Sequence, residues 1–253
     1  MKPRILLFDI ENAPGTAYIW QLKTEYINPG MIKDEWYMLC WAAKWLGEKT
    51  IMSSALYEHK GYDKDKTSDK HILNDLWALL NEADIVIAHN GKKFDVKKSN
   101  ARFIRHGITP PSPYRIIDTL TEARKSCMFM SNTLNELGRV LGVGKKIRTG
   151  GFDLWLDCMA GDTKAWKKMV RYCKQDVVLL EKVYLKLRPY MATHPNLSVI
   201  SHNTSCGKCG SKNLQRRGYI YTNAGKKHRY QCNGCKGYGS YLITKDGDIK
   251  GTR

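Results

Sequence analysis

Short apolar runs alternate with amphipathic stretches along the first 190 residues. Arg4 to Ile10 (RILLFDI) has the unbroken apolar character of a strand buried on both faces. EWYMLCWAAKWLG and TIMSSALY predict the next two strands, hinged at Gly47. Over residues 69–82 (DKHILNDLWALLNE), Ile72, Leu73, Leu76, Leu79 and Leu80 fall on one helical face. DIVIAHN predicts another buried strand, and KKFDVKKSNARFIRHG a helix stopped by Gly107. RIIDTL predicts a strand after the breaker run TPPSP. SNTLNELGRVLGVG and TKAWKKMVRYCKQDVVLLEKVYLKLRP predict helices. Strands alternating with helices define an α/β domain over residues 1–190. The chain carries no internal repeat and no low-complexity tract.

Charge and cysteines divide the chain at the same place. Of the formal net charge of +18, residues 201–253 carry half: eleven Lys/Arg against two Asp/Glu. Cys206, Cys209, Cys232 and Cys235 cluster there, whereas Cys40, Cys127, Cys158 and Cys173 are scattered. Residues 191–204 (MATHPNLSVISHNT) are polar, contain Pro195 and predict a linker, leaving 205–253 as a small second module. The longest apolar run, Trp36 to Ala43, is far below the ~20 residues that span a bilayer. The opening run MKPRILLFD stops at Asp9, too soon for a secretory signal. A soluble cytoplasmic protein is expected, and its charge calls for a polyanionic partner, with nucleic acid first among them.

Three carboxylate pairs or singles carry candidate chemistry. Asp9 and Glu11 lie two apart at the end of a strand and so share a face. Two adjoining carboxylates closing a buried strand repel unless a cation lies between them. The competing reading is a strand running out into a solvated loop. Asp95, in AHNGKKFD, sits near a helix start, where an acid is also favoured by the helix dipole alone. Tyr172 and Asp176 lie four apart in a long helical pattern, hence on one face. An exposed helix face with the tyrosine lying on the core fits that pair too. Together, Asp9, Glu11, Asp95 and Asp176 offer oxygen-only ligands, which select Mg²⁺ or Mn²⁺ over zinc. Two such ions about 3.5–4 Å apart hydrolyse phosphodiesters in two-metal sites.

FDIEN, HNGKKFD and YCKQD, in that order, resemble the three motifs of the DEDD exonucleases, a DnaQ-like branch of the ribonuclease H-like superfamily. Asp9 and Glu11 match the first motif; Asn90, Phe94 and Asp95 the second; Tyr172 and Asp176 the third. A tyrosine in the third motif implies the DEDDy subclass. IIDTLTEARK and SNTLNELGRVLGV further resemble the PolB-like exonucleases of phages and bacteria. The resemblance covers residues 1–190. It implies a ribonuclease H-like mixed sheet, 3′–5′ exonuclease activity, two metals on the four acids, and a water oriented by Tyr172. It also makes Asn90 and Phe94 candidate substrate contacts. Asp118 has no counterpart and is expected to be a strand-end or cap acid. Asn12 stands where relatives often carry Thr or Ser, a departure that bears on nearby substrate contacts.

Cys206-x2-Cys209-x22-Cys232-x2-Cys235 is a zinc signature: two knuckles supply four thiolates and close the shell of a structural ion. His202 and His228 lie nearby and are not needed as ligands. Arg216, Arg217, Lys226, Lys227, Arg229 and Lys236 interleave with Tyr219, Tyr221, Tyr230, Tyr238 and Tyr241. Basic groups suit phosphates and tyrosines suit bases, with about half the tyrosines expected in the module's own core. The module resembles the zinc ribbons of transposase-associated proteins, which implies DNA binding. Trp36, Trp41, Trp45, Trp77, Trp155 and Trp166 are expected to be core. The expected function is thus a metal-dependent 3′–5′ exonuclease, DNA favoured over RNA, with a zinc ribbon assisting binding. A monomer is expected, in the host cytoplasm if phage-encoded, with a DNA polymerase or replication protein as a candidate partner. A structure-specific endonuclease and a non-catalytic nucleic-acid-binding or polymerase-accessory protein are the rivals.

Overall fold

In the computed structural model, which describes residues 3–201, 204–223, 225–243 and 249–252, the first apolar run is strand β1 (Ile5–Asn12). After a two-stranded ribbon of β2 (Thr16–Ala17) and β3 (Ile32–Asp34), β4 (Met38–Trp45) and β5 (Met52–Ala55) follow. Strands β6 (Ile85–Ala88) and β7 (Arg115–Asp118) complete a five-stranded sheet of order β5-β4-β1-β6-β7. β4 runs antiparallel to β1 and β5; β6 and β7 run parallel to β1. All eight residues of β4 are buried, as a largely apolar strand covered on both faces must be, and its one charge, Lys44, pairs with Glu181 of a long helix. His202 lies outside the described residues.

Among the described residues seven α-helices accompany the strands. The amphipathic stretch becomes α1 (Lys70–Glu82), burying Ile72, Leu73, Leu76 and Leu80, with Leu79 half-buried. α2 (Asp95–Arg105) and α3 (Thr119–Ser126) follow β6 and β7. α4 (Leu134–Val140) and α5 (Asp153–Ala160) precede the 25-residue α6 (Thr163–Leu187). Asp162 caps α6 by accepting the Lys164 and Ala165 N–H groups. α6 then crosses β1 and β4, burying Trp166, Met169, Cys173, Val177, Leu180 and Tyr184 against the sheet. The RIIDTL strand is shorter than its pattern predicts. It stops at Asp118, whose carboxylate accepts the Leu120 and Thr121 N–H groups and starts α3. Asp118 is thus the cap acid expected of it, and it also accepts the Asn90 and Lys92 N–H groups.

A buried ion pair fixes α2 to the sheet. Arg102 donates through Nε and Nη2 to the two oxygens of Asp69, both at 2.7 Å. Asp69 also accepts the Met38 N–H of β4 at 2.8 Å and lies 2.6 Å from His106 Nε2. Breaking one partner of such a pair costs about 3–5 kcal/mol, so α2 has one defined seat. That seat sets where Asp95 points.

The stretch expected to be a linker is packed against the first domain. Met191 and Leu197 are buried in its core, ahead of the short helix α7 (Leu197–Ser201). His194 Nδ1 lies 2.7 Å from the Pro195 carbonyl, which can only accept, so the proton sits on Nδ1 and Nε2 accepts from the Tyr184 hydroxyl at 2.8 Å. Burial pulls the His194 imidazole down to about 4, keeping it neutral.

The C-terminal module is an antiparallel sheet of order β11-β10-β9-β8. Its strands are β8 (Leu214–Thr222), β9 (Gly225–Cys232), β10 (Tyr238–Ile243) and β11 (Ile249–Thr252). Among the described residues its buried core is Cys206, Cys232, Cys235 and Tyr230, with Cys209, Leu214 and Tyr241 packed alongside. It joins the first domain through the Leu197 N–H, which donates to the Gly207 carbonyl at 2.8 Å, and through Lys208, which donates to the Pro189 carbonyl.

Candidate metal centres

β1 is paired with β6 only as far as Leu7, because β6 ends at Ala88. Beyond that point the β6-side edge of β1 is open. Asp95 Oδ1 fills it by accepting the Ile10 N–H at 3.3 Å. Asp9 and Glu11 project from the same stretch towards α6, where the Cys173 thiol lies 3.5 Å from the Asp9 carbonyl. α6 supplies Asp176 from the same face. One carboxylate oxygen each from Asp9, Glu11 and Asp176 lies within 4.8 Å of the others. Asp95 stands behind this trio, held to β1, and its charge reaches Asp9.

Only glycine fits where the chain turns from β6 towards α2. A Cβ on Gly91 would lie 2.3 Å from that of Ala88 and 3.6 Å from Asp95 Oδ2. Asn90, at φ 64°, makes the preceding turn, and its carbonyl accepts the Lys93 and Phe94 N–H groups. The structure therefore gives Asn90 a backbone task, while Phe94 stays exposed beside Asp95.

The electrostatics are those of a site short of positive charge. Burial, then Asp95, Glu11 and Asp176, push Asp9 well above the usual carboxylate range. Burial and then Asp176 raise Glu11 to about 8, partly opposed by Lys146 and by the Trp155 side chain. Burial raises Asp95 to about 7. Burial also raises Asp176, against the pull of Lys146. Asp176 Oδ1 is buried without a hydrogen-bond partner, as are both polar atoms of the Asn12 amide. Buried oxygens this crowded and this poorly satisfied fit hard divalent cations.

Lys146 was not foreseen. It enters from the irregular chain between α4 and α5, with Nζ 2.6 Å from Asp176 Oδ2, and donates to the Tyr172 hydroxyl at 2.9 Å. Burial lowers an ammonium, but Asp176 and Tyr172 outweigh it and hold Lys146 above an ordinary lysine. Tyr172 is raised by burial and then by Asp176, so its phenol keeps its proton. Trp155, expected to be core, is half-buried and meets the Tyr172 ring edge-on at 6.4 Å between centroids.

The second cluster is of thiols. Cys206 Sγ lies 3.7 Å from Cys235 Sγ, and Cys209 Sγ 3.6 Å from Cys232 Sγ. A disulfide needs about 2.05 Å. Tetrahedral zinc with bonds of about 2.3 Å places its sulfurs about 3.8 Å apart. The cluster therefore fits a closed four-thiolate zinc site.

The basic residues of the ribbon divide between its two faces. On one, Lys226 Nζ lies 3.7 Å from the Tyr219 ring centre and Arg216 donates to the Tyr219 hydroxyl. Tyr219, His228 and Tyr241 stack along that face, while Tyr230 is buried and Tyr221 and Tyr238 are exposed. Lys227 and Arg229 alternate to the other face, where Arg229 donates to the Arg217 carbonyl and Arg217 to Gln231.

The sequence profile of the RNase_H superfamily matches residues 45–188, a span that contains Asp95, Tyr172 and Asp176 but not Asp9 or Glu11. No curated protein matches the chain. Among solved structures, the family B DNA polymerase of the hyperthermophilic archaeon Pyrobaculum calidifontis is similar in fold, with a TM-score of 0.51 and 14% identity. That likeness covers 87% of this chain and 31% of the polymerase, so the chain spans about a third of that protein's length. At 14% identity the likeness is one of fold alone. Among the described residues no helix is long and apolar enough to cross a membrane. With a mixed five-stranded sheet flanked by helices and a profile match over more than half its length, the chain belongs to the RNase_H superfamily.

Proposed function

We propose that this chain is a metal-dependent 3′–5′ exonuclease of the DEDDy kind that hydrolyses DNA. The observation that carries the reading is the convergence of Asp9, Glu11 and Asp176 oxygens within 4.8 Å, with Tyr172 one helical turn before Asp176. Asp9, Glu11, Asp95 and Asp176 would hold two Mg²⁺ or Mn²⁺ ions. When bound, these would supply the Lewis acid and the activated water of phosphodiester hydrolysis. Tyr172 accepts from Lys146 and keeps its own proton, so its hydroxyl can donate to and orient a water but cannot act as a base. Lys146 holds Asp176 and Tyr172 in one geometry and adds positive charge beside the phosphate. Phe94 offers an exposed ring for the terminal base.

Residues 1–190 form the catalytic unit in this reading, 191–204 a connector whose Met191 and Leu197 pack in the core, and 205–253 a zinc ribbon. The ribbon contacts backbone through Arg216, Arg217, Lys226, Lys227 and Arg229. Removing it after Ser201 keeps Met191, His194 and Leu197 in place and raises KM with kcat unchanged. The deciding experiment uses 5′-labelled linear and circular single-stranded DNA with Mn²⁺. A ladder shortening from the 3′ end supports an exonuclease; a cut circle makes it an endonuclease; no cleavage of either leaves a binding protein.

A further inference from the structure

Exposed large apolar side chains gather in one place. Seven of the twenty-one among the described residues fall within residues 18–32. Trp20 is 96% and Leu22 98% exposed, with Tyr18 and Tyr26 also open to solvent. Scattered single exposures need no explanation, but a cluster of this kind marks a contact surface.

The root of this arch is firm and its tip is free. β2 pairs with β3, the Tyr18 N–H donates to the Met31 carbonyl at 2.9 Å, and Thr16 donates to Asp34 at 2.5 Å. The arch leaves β1 directly after the acids: Tyr18 is seven residues beyond Glu11, a reach of at most about 25 Å. Its return strand leads to Trp36. There the Lys98 ammonium sits 3.6 Å from the Trp36 ring centre and 5.6 Å from that of Phe94, the residue before Asp95. A path of rings and one cation thus joins the carboxylates to the arch. Lys92, Lys93 and Lys97 lie exposed on and before α2, the helix that carries Lys98, whereas residues 18–31 hold one lysine and one glutamate. Apolar tips flanked by a basic helix suit bases at the arch and phosphates at the lysines. That division is the pattern of side-chain wedges and stacking platforms on nucleic acid.

We propose that the 18–31 arch is a strand-parting wedge, which seats Tyr18, Trp20, Leu22 and Tyr26 against the last base pairs of a duplex end and directs one strand to the carboxylates. This rests on the nuclease reading and adds the class of substrate: a double-stranded end that must be opened. The test is the double variant Trp20→Ala/Leu22→Ala, whose two side chains touch no core. With Mn²⁺, its degradation of a blunt duplex should fall at least about tenfold, the loss of one stacked base. Its rate on a single strand of the same sequence should change less than about twofold. Equal slowing on both substrates, or an unchanged duplex rate, overturns the wedge, and the latter points to a protein docked on the arch. A second measurement needs no cleavage. A duplex carrying 2-aminopurine at its terminus should brighten when bound by the wild type and not by the variant; no brightening with the wild type overturns the wedge. If the wild type cut neither substrate, the nuclease reading would fail, and the fluorescence would still decide the arch.

Discussion

The carboxylate cluster and the thiol cluster are both groupings that could hold a metal ion, yet they stand in opposite relation to the core. The acids hang on a sheet and helices that bury Phe8, Leu39, Trp166 and Tyr184 with no help from an ion. Their own contribution to folding is unfavourable, since burial raises all four and repulsion from the other acids adds to it at Asp9 and Glu11. Among the described residues the cysteines instead make up most of the ribbon's core, with Tyr230 the one large side chain wholly buried there. One site is a cost carried by a fold; the other substitutes for a fold. On the proposed reading function explains the asymmetry: strained, under-neutralised groups accumulate where chemistry happens, and satisfied ligands where structure is needed.

The sharpest way to break the comparison is to remove one ligand from each side. Cys232→Ser should unfold the ribbon, because structural zinc contributes about 10–16 kcal/mol to so small a unit. The amide spectrum of residues 205–243 should collapse while the melting of the first domain stays put. Asp9→Ala should do the reverse, leaving melting unchanged or raised while cleavage falls beyond the roughly 10–100-fold typical of a merely supporting residue. Wild-type cleavage by Asp9→Ala, or a folded ribbon in Cys232→Ser, would remove the distinction.

Next in size is Tyr172→Phe. The ring keeps its contact with Trp155, and the hydroxyl partner of Lys146 is lost. Cleavage should fall about 10–100-fold with Mn²⁺ affinity retained. A normal rate would make Tyr172 a packing residue.

The acid site should also declare itself through pH. Glu11 rises from an ordinary 4.5 to about 8 in the folded, metal-free protein. A raised carboxylate favours the folded state at low pH, so its penalty grows as pH climbs from about 4.5 to about 8. Glu11→Gln should therefore raise the metal-free melting temperature at pH 8 and leave it unchanged at pH 4. Added Mg²⁺ should close the gap from the wild-type side. A gap independent of pH would mean that Glu11 is not a strained carboxylate.

What the sequence disclosed follows from which signals repeat. β1, β4, α1 and α6 are long and periodic enough to be legible, and Asp9/Glu11 and Tyr172/Asp176 sit at the spacings that strands and helices translate into shared faces. Asp95 was placed by its motif, but its hold on the Ile10 N–H depends on where β6 ends, a tertiary fact. Lys146 arrives from chain without regular structure and is one of 42 Lys and Arg residues, so nothing local distinguishes it. α5, with eight residues, and β2, with two, are too short for a period to emerge. The connector looked like a linker because it is polar, whereas two apolar side chains and one neutral histidine suffice to pack it.

The smallest expected effect lies inside the ribbon, at the position that follows the second cysteine of each knuckle. After the second cysteine of each, the backbone turns left-handed: Gly210 at φ 74° and Lys236 at φ 65°. Each N–H then donates at 2.8 Å to the carbonyl of the knuckle's first cysteine, Cys206 or Cys232. Gly210 adopts that φ freely, and nothing lies within 4 Å of a Cβ placed on it, so conformation alone distinguishes the two positions. An L-residue there costs about 1–2 kcal/mol. Glycine gives back part of that through the extra freedom it brings to the unfolded chain, about 0.5–1 kcal/mol. Lys236→Gly should then stabilise the ribbon by up to about 1 kcal/mol. Slower loss of zinc to a chelator and slower amide exchange at Cys232 and Tyr230 would register it, with the first domain unaffected. Lys236→Ala keeps the strain and should gain nothing, while Gly210→Ala should lose a similar amount. Equal stabilisation by Gly and Ala at 236 would place the cause in the lost positive charge rather than in φ.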